Sequence, residues 1–93
     1  MTTKKSIVIY SKERCSYCVR AKQLLEAKGF SYHEIRVDLD EKALQEMLNR
    51  SQRRTVPQIF INNQSIGGYD DLYALDQSGK LDKLRFQKGD EKS

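Results

Sequence analysis

Two cysteines, one histidine and one proline are all that 93 residues contain of these types, and each scarcity removes a class of function. A structural zinc site takes four Cys or His ligands. With no second cysteine pair and His33 the lone imidazole, that ligand set cannot be filled, and His33 reads as a structural residue. A structural disulfide between Cys15 and Cys18 stays open, but it closes too small a loop to constrain the unfolded chain much. No apolar run approaches the roughly 18 residues of a membrane span. Met1-Thr2-Thr3-Lys4-Lys5 leads into an apolar stretch too brief for the core of a signal peptide. The expected setting is therefore a reducing cytoplasm, where a Cys-X-X-Cys pair is more often catalytic than structural. Internal repeats are also missing, and residues 1–93 read as one domain with an ordered core over about 5–84 and a polar tail over 85–93.

The net charge of +4 comes from 17 basic and 13 acidic residues. The two signs are interspersed, and no basic stripe is interleaved with aromatics, which argues against nucleic acid as a partner. A modest positive field suits small anions instead.

What is present is concentrated in Cys15-Ser16-Tyr17-Cys18. Ser6 to Ser11 reads as a short buried strand, apolar on both faces and hence central in a sheet. The spacing after it predicts an amphipathic helix over 19–28, with Cys18, Ala21, Leu24 and Leu25 on one face and Gly29 as its stop. Cys15 thus lies at the start of a helix, where free N–H groups and the helix dipole favour a thiolate. The cations Lys12, Arg14, Arg20 and Lys22 act in the same direction, so a lowered Cys15 pKa is expected. Cys18 falls on the same helix face but deeper. One exposed, acidic thiol with a covered thiol in bonding reach makes a redox pair, in which the first attacks and the second resolves. Two inert core cysteines are the alternative that the residues by themselves leave open.

Further along, residues 31–38 alternate as a half-exposed strand. Asp40 is placed to cap a second helix whose Leu44, Met47, Leu48 and Ser51 share a face. Gln58-Ile59-Phe60-Ile61, Asn62-Asn63 and Gln64-Ser65-Ile66 read as a hairpin. A third helix is expected over 71–78, opened by Asp70 as N-cap and Asp71 as a first-turn acid, and Leu81 and Leu84 suggest one more turn. The order β-α-β-α-β-β-α implies an α/β fold with a four-stranded mixed sheet flanked by three main helices.

A Cys-X-X-Cys after the first strand, Thr55-Val56-Pro57 before the third, and Gly67-Gly68-Tyr69-Asp70 at a later helix start together resemble the glutaredoxin family. Thr55 to Ile61 and Ile66 to Leu75 are particularly similar to its small bacterial, dithiol members. The resemblance implies a thioredoxin-like fold and a glutathione-dependent thiol–disulfide oxidoreductase. It would act on protein–glutathione mixed disulfides and protein disulfides, with ribonucleotide reductase among the family's clients. Carried over, Cys15 is the nucleophile and Cys18 the resolving thiol, the two forming the redox disulfide. Tyr17 walls a glutathione groove, and a cis Val56–Pro57 bond turns the Val56 main chain toward the tripeptide. Lys12 and Arg54 are the candidates for the glycine carboxylate. Thr55 and Pro57 frame the same loop, and Gly68, Tyr69, Asp70 and Asp71 would receive the γ-glutamyl end. A monomer is the simplest expectation for the chain. Two residues depart from the family's usual pattern. Ser16 stands where many members have proline, and some members with serine there bind a [2Fe-2S] cluster between two protomers through the first cysteine and glutathione. Tyr69 stands where many have a third cysteine.

Overall fold

The computed structural model describes residues 7–81. The sequence expectations for Ser6, Leu84 and the 85–93 tail lie outside them. Four strands form one sheet in the order β2-β1-β3-β4, from β1 (Ile7–Ser11), β2 (His33–Arg36), β3 (Gln58–Ile61) and β4 (Gln64–Gly67). β1 runs parallel to β2 and antiparallel to β3, pairing Tyr10 with Ile35 on one side and with Gln58 on the other. The mixed four-stranded sheet and the element order are those that the sequence implied. The hairpin closes through Asn62 and Asn63 at φ 53° and 69°, the left-handed geometry that asparagine tolerates in two-residue turns.

Period-two alternation along β1 and β3 divides the core in two. Ile7, Ile9, Ile59 and Ile61 face one way, against Ala21 and Leu25 of α1 (Ser16–Ala27), Leu72 of α3 (Tyr69–Gln77) and Leu81. Tyr10 and Phe60 face the other way, with Val37 and with Ala43 and Met47 of α2 (Glu41–Ser51). Each helix end has an identifiable stop or start. Asp40 caps α2 by accepting from the Lys42 and Ala43 N–H groups at 3.0 and 3.3 Å. α1 closes in a Schellman arrangement: Phe30 N–H donates to Leu25 O and Gly29 N–H to Glu26 O, with Gly29 at φ 84°.

Three boundaries differ from the sequence reading. α1 begins at Ser16 rather than Val19, because Cys15 is its N-cap and the whole Ser16–Cys18 turn is helical. β2 is confined to His33–Arg36. After Val37 N–H reaches Ser11 O at 2.9 Å, the chain turns away, and Asp38 folds back onto Arg36. α3 begins at Tyr69 with Gly68 as N-cap, so Asp70 is a first-turn residue and not the cap. The Asp71 carboxylate reaches back to accept from Gly68 N–H at 3.0 Å, which pulls the helix start two residues earlier than expected.

Candidate active site

β1 lies at the sheet's centre and α1 starts after a four-residue connection, so Lys12–Cys15 is held between two packed elements. Cys15 is extended (φ −108°), and its sulfur accepts from Cys18 N–H at 3.2 Å, satisfying one of the free donors at the helix start. Cys15 and Cys18 are joined as a disulfide. Cys18 is only 1% exposed, whereas Cys15 is half-buried at the surface. The outer and inner positions assigned from helical spacing are thus observed.

Cys15 Sγ lies 3.8 Å from the carbonyl oxygen of Val56, in the loop that leads into β3. The Val56–Pro57 peptide is cis. That loop is anchored from below by Gln58, which is fully buried and donates through Nε2 to Thr55 O at 2.9 Å and Thr55 Oγ1 at 3.2 Å. Its Oε1 is buried without a partner among the described residues. The α3 start closes on the same loop. A side chain at Gly68 would bring its Cβ to 3.4 Å from Pro57 O.

Between loop and helix lies an open cleft of about 250 Å³, lined by Tyr17, Arg53, Thr55, Val56, Pro57, Gly68, Tyr69, Asp70 and Asp71. Tyr17 forms one wall, its ring stacked on Tyr69 at 6.0 Å and 29°. Arg20 lies 5.5 Å from the centre of the Tyr17 ring and so limits its swing. Asp71 Oδ2 accepts from Arg53 at 3.3 Å as well as from Gly68 N–H.

Of the residues singled out in the sequence, Tyr17, Thr55, Val56, Pro57, Gly68, Tyr69, Asp70 and Asp71 therefore come together. Lys12 does not join them. It lines a second, larger cleft of about 470 Å³ that contains Cys15 and Cys18. Arg54 is exposed and lines neither cleft. The arginine in the groove is Arg53. Gln52 takes the left-handed conformation at the end of α2 (φ 62°), and Ser51 Oγ fixes Arg53 by accepting from its N–H at 3.1 Å. No periodicity signals that turn, so adjacent arginines could not be told apart.

Behind the cysteines, Glu34 accepts from Ser11 Oγ at 2.6 Å and Lys22 Nζ at 2.9 Å. These two bonds, Ser11's the larger, hold its carboxyl below the usual range. The Arg36 guanidinium, bonded to Asp38 at 2.7 and 2.6 Å, lowers the Asp38 pKa to about 2. Among the described residues no group of three or more His, Cys, Asp or Glu is arranged to hold a metal ion. No helix among them is long and apolar enough to cross a membrane.

A parallel β-α-β unit joined to a hairpin, with a Cys-X-X-Cys pair capping the first helix, defines a thioredoxin-like α/β fold with a redox-active disulfide. The chain belongs to the glutaredoxin family, whose model matches residues 7–66. It is 56% identical over 79 residues to Glutaredoxin 3 of Escherichia coli (strain K12), covering 85% of this chain and 95% of that protein. The solution structure of glutaredoxin from Brucella melitensis superposes with a TM-score of 0.75 at 48% identity, over 85% of this chain and 86% of that one. The crystal structure of a buckwheat glutaredoxin–glutathione complex gives a TM-score of 0.81 at 32% identity, over 91% and 80% respectively. The chain is accordingly a thiol–disulfide oxidoreductase by family.

Proposed function

We propose that this glutaredoxin uses glutathione to reduce protein–glutathione mixed disulfides and protein disulfides, with Cys15 as nucleophile and Cys18 as resolving thiol. The observation that carries the proposal is the half-exposed Cys15 sulfur at the head of α1, 3.8 Å from the Val56 carbonyl at the rim of a peptide-sized groove. The helix start and the nearby cations favour the thiolate.

The groove's chemistry suits the tripeptide. Val56 lies outside β3, so its main chain is available to pair with the cysteinyl backbone of glutathione as a short added strand. The N-terminal N–H groups of α3 provide for the γ-glutamyl carboxylate, and Asp70, exposed at the same place, accepts from its ammonium. Tyr17 covers the cysteinyl middle of the ligand. Arg53 lines the groove for the remaining carboxylate, whereas Lys12 lines the neighbouring cleft and Arg54 lines neither. A glutathione complex of a structural relative supports glutathione as the ligand.

In the reaction, the Cys15 thiolate attacks the glutathione sulfur of the client disulfide. The client leaves as a thiolate and takes a proton from solvent, and Cys15 becomes glutathionylated. The thiolate of a second glutathione attacks that sulfur, releasing glutathione disulfide and regenerating Cys15. One free glutathione thiol is thereby oxidised for each mixed disulfide removed, the other half of the glutathione disulfide coming from the client. When the client holds an internal disulfide, Cys15 forms the mixed disulfide and Cys18 displaces the client, leaving the Cys15–Cys18 bond. Glutaredoxin potentials of about −200 to −230 mV lie near or above a cytoplasmic glutathione poise of about −220 to −260 mV, so glutathione can drive the cycle there. We place the protein in that compartment as a single-domain monomer. A [2Fe-2S] cluster does not fit one chain, which presents a single accessible thiol.

The test is turnover of a small glutathione mixed disulfide coupled to glutathione reductase. Cys15→Ser is expected to abolish it, and Cys18→Ser to retain it while losing reduction of a protein disulfide. Equal loss of both activities in Cys18→Ser would contradict the assigned roles. Absence of turnover in the wild type, with a charge-transfer absorbance that Cys15→Ser removes, would replace the proposal with cluster carriage.

A further inference from the structure

The larger cleft beside the cysteines shares no lining residue with the glutathione groove. It holds four cations and two acids: Lys12, Arg14, Lys22 and Arg36 against Glu13 and Glu34. Two of the cations are already neutralised. Lys22 pairs with Glu34 at 2.9 Å, and Arg36 pairs with Asp38 at 2.6 Å and approaches Glu13 at 3.8 Å. Lys12 and Arg14 have no ion pair among the described residues. The groove has the opposite balance, with Arg53 held by Asp71 and Asp70 in excess. The sign of the surface thus changes across the reactive sulfur.

Arg14 is also conformationally costly where it stands. Its φ of 61° is left-handed, a conformation that disfavours a residue with a Cβ and that glycine or asparagine adopts more readily. The backbone next to Cys15 would be easier to build without this side chain. A guanidinium held there, forked to match a carboxylate, has the chemistry of a recognition group.

We propose that this cleft docks an acidic segment of the client protein next to its target cysteine, and that Arg14 is a specificity-determining residue for it. The inference rests on the oxidoreductase reading given above. A polypeptide suits the cleft better than a second tripeptide does. Both glutathione carboxylates are provided for in the groove, and the cleft has nearly twice the groove's volume, about 470 against 250 Å³. It continues from the cysteines along Lys22 of α1 to Glu34 and Arg36 of β2, a path for chain flanking the disulfide.

Glutathionylated peptides that differ only in the residues flanking their cysteine provide the test: two glutamates, two glutamines or two lysines. With the wild type, kcat/KM is expected to be roughly three- to five-fold higher for the glutamate peptide than for the glutamine peptide, the range of an exposed charge pair. The advantage should vanish in 1 M NaCl, where the Debye length is about 3 Å. Arg14→Gly, which suits the local backbone, should abolish it, and Arg14→Glu should transfer it to the lysine peptide. Each variant is read as the ratio of its rates on the glutamate and glutamine peptides, in which any change at the Cys15 thiolate, common to both peptides, cancels. Equal rates on glutamate and glutamine peptides would overturn the inference and leave the proposed function standing. A raised KM for glutathione in Arg14→Gly would also overturn it, by giving the cleft to the tripeptide. No turnover of any mixed disulfide would remove the proposed function and this inference together.

Discussion

At the scale of single residues, the site depends on a few positions whose backbone leaves no freedom. Gly67 has φ 116°, and a Cβ there would lie 2.7 Å from Asp71 Cγ, where the carboxylate caps α3. Gly67→Ala is expected to cost about 1–3 kcal/mol through the left-handed conformation. It should also raise the KM for glutathione, because Asp71 can no longer hold Gly68 N–H and Arg53. Thermal denaturation and steady-state kinetics on the same preparation check both halves. Gln58 acts from beneath the loop. Gln58→Leu removes two bonds to Thr55, and it is expected to raise the glutathione KM several-fold with little change in the far-UV circular dichroism. The cysteines, Tyr17 and the Thr55–Pro57 loop were legible in the sequence because short motifs announce them. Arg53 and Gln58 were not. Arg53 owes its place to a left-handed turn at Gln52, and Gln58 reads as one polar letter in a strand, its burial visible only after folding.

At the scale of elements, the hydrophobic pattern was sufficient to order the strands and helices, and the misplaced ends are those governed by caps. Asp40 was readable because it precedes a strongly amphipathic run. The α1 and α3 starts were displaced because the cap of α1 is a cysteine sulfur, which carries no capping signal in sequence, and that of α3 is closed by the Asp71 carboxylate reaching back to Gly68 N–H. One tie between elements had no sequence signature at all. Arg50 of α2 lies 4.2 Å over the Phe60 ring of β3, donates to Tyr10 Oη at 2.9 Å and reaches Asn63 Oδ1 in the hairpin turn at 3.2 Å. Arg50→Ala is expected to lower stability by about 1–2 kcal/mol through the lost cation–π contact and hydrogen bonds. Arg50 lines neither cleft, so turnover of a small mixed disulfide should be unchanged at temperatures where the variant is folded.

For the whole molecule, the charge pattern sets the pH range of the fold. Glu34 and Asp38 titrate below their ordinary values in the folded chain, Asp38 at about 2. Their contribution to stability is therefore fully present above the unfolded carboxylate range and is lost as pH falls through the lowered values. Ser11→Ala, which removes the first partner of Glu34, should move the acid unfolding midpoint to higher pH. At the alkaline end, burial and the Glu26 carboxylate that its hydroxyl donates to raise the Tyr32 pKa to about 12. Its stabilising share is complete below pH 10 and is lost as pH rises toward 12, so a tyrosinate absorbance titration should show one late ring that Glu26→Gln brings down. The row of rings beside the cysteines has an optical consequence. The chain contains five tyrosines and no tryptophan, and Tyr17, inside the Cys15–Cys18 turn, stacks with Tyr69, which in turn lies 6.0 Å from Tyr73. A disulfide quenches a neighbouring phenol's emission and a dithiol quenches it less. The unlabelled protein therefore carries its own redox indicator, its tyrosine emission brightening as the bond opens, by an amount that Tyr17→Phe should largely erase.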